Sequence, residues 1–163
     1  MLKNVIAFGG YFYSIAKWLP GVIHYTCPVW GFTERWCEDF AHAIKRPITL
    51  VGFSEGANAA MAIASHSPMV TRAIIHSCQY KKRTPNLNCE YRFYVTCGDT
   101  TPTLSGTLDS LAAVRDYGSA ASFRFLPYVP FENPTFFETR QLARRRHIFH
   151  NVVPLLPFPL LRI

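Results

Sequence analysis

Ser54 is the residue around which candidate chemistry gathers. It stands in Gly52-Phe53-Ser54-Glu55-Gly56, after the aliphatic, β-branched run Ile48-Thr49-Leu50-Val51 and before the small apolar segment Ala57 to Ala64. That pattern predicts strand, sharp turn and helix, with Ser54 at the apex. The flanking glycines have a steric reason. Such a turn strains the serine backbone, and a Cβ on either side would meet the neighbouring strand or helix. A serine hydroxyl is a poor nucleophile at neutral pH. It needs an imidazole to take its proton and a carboxylate to hold the imidazole's tautomer and orientation. The plainer alternative is a glycine-flanked serine that caps a buried helix.

Asp99 is the best candidate for the carboxylate. It follows Gly98 at the end of the aromatic and β-branched run Tyr91 to Cys97, and lies between Ser54 and the late histidines. Its ordinary use is an Asx turn or helix cap leading into Thr100 and Thr101. Asp109 and Asp116 fall on an expected exposed helix face and are weaker rivals. The histidines are His24, His42, His66, His76, His147 and His150. If residues 146–153 form a final extended segment, its far end approaches the site and His150 sits closer than His147. His76, which ends a strand near Ser54, comes third. His24, His42 and His66 read as surface or core-edge residues. No histidine pair sits at metal-ligand spacing with a carboxylate, so neither metal nor cofactor is expected.

The elements that must position these residues follow in order. Asn4 to Phe8 reads as a buried strand ending in Gly9-Gly10, and Tyr11 to Leu19 as a short helix stopped by Pro20-Gly21. Val22 to Cys27 is the next strand. Thr33 opens a helix with Trp36, Cys37, Phe40, Ala41 and Ile44 at helical spacing, closed by Pro47. After the serine helix, Thr71 to His76 and Tyr91 to Cys97 are strands. Leu104 to Tyr117 is a helix with Leu104, Leu108 and Leu111 on one face, stopped by Gly118. Ala121 to Val129 is a further strand, and Asn133-Pro134 starts a helix to about Arg145. Pro154, Pro157 and Pro159 keep the apolar tail from forming one helix. Alternating strands and helices predict a three-layer α/β sandwich with a mainly parallel sheet. Chemistry in such sheets collects at the carboxyl ends of the strands.

The 163 residues make one domain the expectation, and a 49% apolar fraction supplies a core. The longest apolar runs fall well short of the roughly 20 residues of a membrane span. The amino-terminal residues lack a signal-peptide pattern, so the default expectation is cytoplasmic. Five cysteines lack the pairwise spacing of a zinc site. The net charge of +7 is concentrated in Lys81-Lys82-Arg83 and Arg144-Arg145-Arg146. The first cluster reads as a solvated face. No helix-turn-helix or RNA-binding signature accompanies either, so no nucleic-acid partner is expected.

The sequence resembles the α/β-hydrolase superfamily, specifically its small cutinase-like and lipase-like members. Gly52-Phe53-Ser54-Glu55-Gly56-Ala57 looks like the nucleophile elbow, Phe8-Gly9-Gly10-Tyr11 like the oxyanion-loop segment, and Val95-Thr96-Cys97-Gly98-Asp99 like the Gly-Asp that supplies the acid. Residues 151–157, Asn-Val-Val-Pro-Leu-Leu-Pro, are similar to the Asp-x-Val-Pro-x-Leu-Pro segment of fungal-type lipases. There the aspartate is the triad acid, whereas Asn151 cannot serve, so the acid falls to Asp99. The resemblance implies one oxyanion donor from the backbone N–H of Glu55 and a second from Gly10 or Tyr11. It also implies a histidine in the loop after the last strand, yet Tyr128 to Asn133 contains none.

The expectation is a single α/β-hydrolase domain over 1–163, without a cap domain, cleaving carboxylic esters through an acyl-enzyme on Ser54. The site is shallow, suited to short acyl chains or to lipid esters at an interface. The basic and apolar tail is either a lipid-interface contact or a cover for a core edge. Thioester hydrolysis and a degenerate, non-catalytic domain that binds a ligand or partner stand as alternatives.

Overall fold

The computed structural model describes residues 4–9, 22–28, 31–96 and 101–126. In chain order the elements are β1 (Val5–Phe8), β2 (Ile23–Tyr25), α1 (Glu34–Ala43), β3 (Ile48–Phe53), α2 (Glu55–His66), β4 (Val70–His76), β5 (Glu90–Thr96), α3 (Thr101–Asp116) and β6 (Ala121–Leu126). The strands form one sheet in the order β2-β1-β3-β4-β5-β6. Every neighbouring pair is parallel. Helices flank it, as the alternation of strand and helix patterns leads one to expect.

Continuous apolar runs become strands here because both faces of the central sheet are covered. Leu50, Val51 and Phe53 of β3 and Ala73, Ile74 and Ile75 of β4 are all buried. Thr33 starts α1 by accepting a hydrogen bond from the Trp36 N–H at 3.2 Å, which satisfies one of the free donors of the first turn. The aromatic stripe of α1 then packs on the strand ends. Phe8 meets Phe32, Trp36 and Phe40 edge-on, with ring centroids 5.6, 6.1 and 5.6 Å apart. Such pairs add about 0.5–1.5 kcal/mol each beyond their buried area.

Alanines dominate α2 because it is enclosed on nearly every side. Ala57, Ala59, Ala60, Ala62, Ile63 and Ala64 are all at most 2% exposed. The segment between β4 and β5 is fastened beside it. Arg83 pairs with Glu34 of α1, which also lies 3.2 Å from His66 Nε2 at the end of α2. Of the basic cluster, Lys81 and Lys82 are exposed as expected, but Arg83 is largely covered by its ion pair.

Two features of α3 differ from expectation. It begins at Thr101, one turn early, since Pro102 is well tolerated in a first helical turn. Of the leucine face only Leu111 is buried. Leu104 and Leu108 are exposed, and the buried face is Thr103, Gly106, Thr107, Ser110, Leu111 and Val114. The reason is a close backbone crossing. A Cβ on Gly106 would stand 2.7 Å from the Tyr80 nitrogen and 3.0 Å from the Cys78 oxygen. The Thr107 hydroxyl lies 2.8 Å from the Thr103 carbonyl oxygen and 3.2 Å from that of Cys78. Small polar side chains make this contact, where leucine has no room. Gly118, at φ +89°, ends the helix as expected.

Candidate active site

The last residue of β3 and the first of α2 are separated by Ser54 alone. Strand must become helix across one residue, and the backbone shows it. Ser54 has φ 55° and ψ −117°, a conformation that costs an L-residue on the order of 1–3 kcal/mol. Ser54 occupies the N-cap position of α2, yet its side chain makes no capping hydrogen bond. The hydroxyl of this half-buried residue is therefore not used as a cap.

The two glycines have the predicted role, in measurable form. A Cβ on Gly52 would lie 2.3 Å from the Gly56 oxygen and 2.5 Å from Ala57 Cα. A Cβ on Gly56 would lie 2.2 Å from the Phe8 oxygen and 2.7 Å from the Gly9 oxygen. All are backbone atoms, so no rotamer change relieves the overlap. The first turn of α2 is thus pressed against the carboxyl end of β1, where Gly9 donates its N–H to the Tyr25 oxygen at 2.9 Å. Gly10 and Tyr11, the expected second oxyanion donors, follow directly and lie outside the described residues.

β4 braces the turn from the other side. Ser54 donates its N–H to the His76 carbonyl oxygen at 2.9 Å. Its own amide is therefore committed, and the next N–H in the chain is that of Glu55, at the positive end of α2. The Glu55 carboxylate accepts from Asn58 Nδ2 at 2.9 Å, and Asn58 Oδ1 accepts the Gln79 N–H at 3.0 Å. This ties the first turn of α2 to the segment after β4.

The six-stranded parallel sheet with its helices is a known architecture. It is similar to a SOBER1 variant from Arabidopsis thaliana, at 12% identity over 88% of this chain and 98% of that one, with a TM-score of 0.60. It is similar to a Bacillus cereus carboxylesterase, at 11% identity over 89% of each chain and a TM-score of 0.56. A third likeness is to MGS-M1, an α/β-hydrolase enzyme from a deep-sea metagenome library, at 13% identity over 88% and 85% and a TM-score of 0.56. The fold is that of the α/β hydrolases. No family model and no curated protein matches the sequence.

Within the α/β-hydrolase sheet, His76 ends β4 beside Phe53, with ring centroids 5.6 Å apart. Its Nδ1 lies 2.9 Å from the Ser77 hydroxyl, and both residues are 2% exposed. His66 is engaged by Glu34, and both it and His42 lie on the surface. β5 brings its carboxyl end to the same edge of the sheet, two strands from β3, and Ser77 donates its N–H to the Tyr94 oxygen at 3.0 Å. Asp99 follows that strand and lies outside the described residues, as do His147, His150, Asn151 and the whole tail.

Sequence reasoning missed two parts of this region. Ser77 adopts φ 57°, a left-handed conformation that asparagine or glycine would have announced but serine does not. The Glu55–Asn58–Gln79 link was also missed, although a lone asparagine in an alanine-rich buried helix is a usable signal, since buried amides need partners. Cys27 and Cys37 are not rival nucleophiles. Burial, then the Glu55 charge, pushes the Cys27 thiol up to about 11, and burial followed by Glu34 takes Cys37 to about 12. Both stay protonated and unreactive at neutral pH. Among the described residues no cluster of His, Cys, Asp or Glu could hold a metal ion.

Proposed function

We propose that the protein is a serine hydrolase that cleaves carboxylic esters through an acyl-enzyme on Ser54. The observation that carries this reading is the strained turn at Ser54. Two glycines are pressed into backbone contact so that a serine can stand at positive φ, with its hydroxyl unused by the helix it begins. Strain of that kind persists only where surrounding structure over-determines it. The similar structures include a carboxylesterase, which supports the same reading.

In the proposed reaction a histidine takes the Ser54 proton as the hydroxyl oxygen attacks the ester carbonyl. His150 is the first candidate and His147 the second. Asp99 orients that imidazole and stabilises the imidazolium. The oxyanion is met by the N–H of Glu55 and by that of Gly10 or Tyr11. One such donor is worth about 3 kcal/mol of transition-state stabilisation. The histidine then returns the proton to the leaving alcohol, and water releases the acid by the reverse sequence. Short-chain esters or lipid esters at an interface are the substrate class, with thioesters as near relatives.

Incubation with a fluorophosphonate probe tests the nucleophile. Wild-type protein should form a covalent adduct and Ser54→Ala should not. Failure of folded wild-type protein to react would end the hydrolase reading. Hydrolysis of short p-nitrophenyl esters should then fall about 10⁴-fold in either His150→Ala or His147→Ala. Full activity in both would remove the proposed base. A non-catalytic domain that binds a ligand is the second reading. It is favoured by Asn151 in the lipase-like segment and by the lack of histidine from Tyr128 to Asn133.

A further inference from the structure

A concavity lies at the opposite edge of the sheet from Ser54. It encloses about 250 Å³ between the last turn of α1 and the amino ends of the first three strands of the sheet. Its walls are Ile6, Ile23, Phe40, Ile44 and Ile48, with Lys45 and Arg46 also lining it. Ile48 opens β3 and Ser54 follows its end, so six residues of extended chain, about 20 Å, separate this pocket from the serine. No step proposed for Ser54 uses it.

Its composition is specific in three ways. The walls are branched aliphatic and aromatic, and Ile23 is 49% exposed, so an apolar ligand would cover surface that now meets water. Among the described residues, the charged ones lining it are both cations. Lys45 Nζ donates to the His42 carbonyl oxygen at 2.8 Å, which holds the ammonium at the end of α1 and leaves two of its three donors for a ligand. The volume falls below the roughly 300–1,000 Å³ of pockets for drug-sized ligands. It equals about eight water volumes at ~30 Å³ each.

We propose that this pocket binds a medium-chain fatty carboxylate, with its alkyl chain against the isoleucines and Phe40 and its carboxylate on Lys45. A chain of about eight to ten carbons matches the space. The site is independent of the reading given for Ser54 and stands or falls separately.

Calorimetric titration with decanoate tests it. Saturable binding is expected in the wild type and unchanged in Ser54→Ala. Ala43→Trp fills the pocket from the exposed last residue of α1, and Ile23→Ser weakens its wall from an exposed edge position, so neither disturbs the core. Affinity should fall tenfold or more in Ala43→Trp, in Ile23→Ser and in Lys45→Glu. Decyltrimethylammonium should bind the wild type at least tenfold more weakly than decanoate. Fluorophosphonate labelling of Ala43→Trp should match the wild type, which separates this site from the serine. The proposal is overturned by absent saturation, by undiminished binding in folded Ala43→Trp or Ile23→Ser, by equal binding of the ammonium compound, or by loss of binding in Ser54→Ala.

Discussion

Gly56→Ala sets two known effects against each other, and the geometry decides between them. Alanine in place of glycine within a helix ordinarily gains about 1 kcal/mol. At Gly56 the new Cβ would stand 2.2 Å from the Phe8 oxygen and 2.5 Å from the Phe8 carbonyl carbon. Carbon and oxygen without a covalent link approach to about 3.3 Å at closest, so α2 and β1 must part by about 1 Å. Both partners are backbone, and Phe8 is fully buried and paired in register with Gly52 and Tyr25. Overpacking of this kind costs about 1–3 kcal/mol and sometimes more. Burial on all sides puts this site at the upper end, for a net loss of about 2 kcal/mol. At about 2–4 °C per kcal/mol for a chain of this size, Tm should fall by roughly 4–8 °C. Gly118→Ala is the control. Nothing lies within 4 Å of its Cβ position and only φ +89° opposes the change, so its loss should stay near 1 kcal/mol. Urea unfolding of both variants measures the difference. Gly56→Ala at or above wild-type stability would refute the close approach of helix and strand. If the serine is a nucleophile, a 1 Å displacement should also slow fluorophosphonate labelling about 100-fold.

Ser54→Gly should be at least as stable as wild type in urea, because relief of φ 55° strain offsets the larger unfolded-state entropy of glycine; a loss above about 1 kcal/mol would argue against strain. Asn58→Leu should cost about 1–3 kcal/mol by leaving the Gln79 N–H without the Asn58 oxygen, and a neutral result would mean that water replaces it. The Arg83 hydrogen bond holds the Glu34 carboxyl below the usual range, assisted by His66. A depressed folded-state value contributes stability above the ordinary carboxyl range and loses it as pH falls through that value. Glu34→Gln should therefore lower stability more at pH 7 than near pH 3. The difference should stay below about 1 kcal/mol because Glu34 is half exposed; an equal deficit at both pH values would contradict the pairing.

The sheet was legible in the sequence because burial on both faces writes each strand as a short aliphatic run between turn residues. β3 and β4 are clear cases. Helix α1 was legible for a different reason, its aromatic stripe at a 3.6-residue period. The contact face of α3 was not, because Thr103, Gly106, Thr107 and Ser110 carry no hydrophobic signal and their burial follows from a backbone crossing between distant segments. At the site, Ser54 was readable because glycines two residues to either side report on sterics. Ser77 was not, since nothing local marks its left-handed conformation. Asp99, His147 and His150 rest on chain order and on the lipase-like segment, and their readings await the experiments above.

The Ser54 turn has a consequence for how the chain folds. Its surroundings are set where β1 packs against Gly56 and β4 accepts the Ser54 N–H, at the carbonyls of Phe8 and His76. Those residues are 68 positions apart by their numbers, and neither belongs to the strand and helix that the turn joins. A peptide containing only β3 and α2 has no reason to keep positive φ at Ser54, and it would relax. Contacts this far apart in sequence form only after the loop-closure entropy between them has been overcome. The strained serine is thus a product of the assembled sheet, and its geometry should appear in one step with the rest of the native structure.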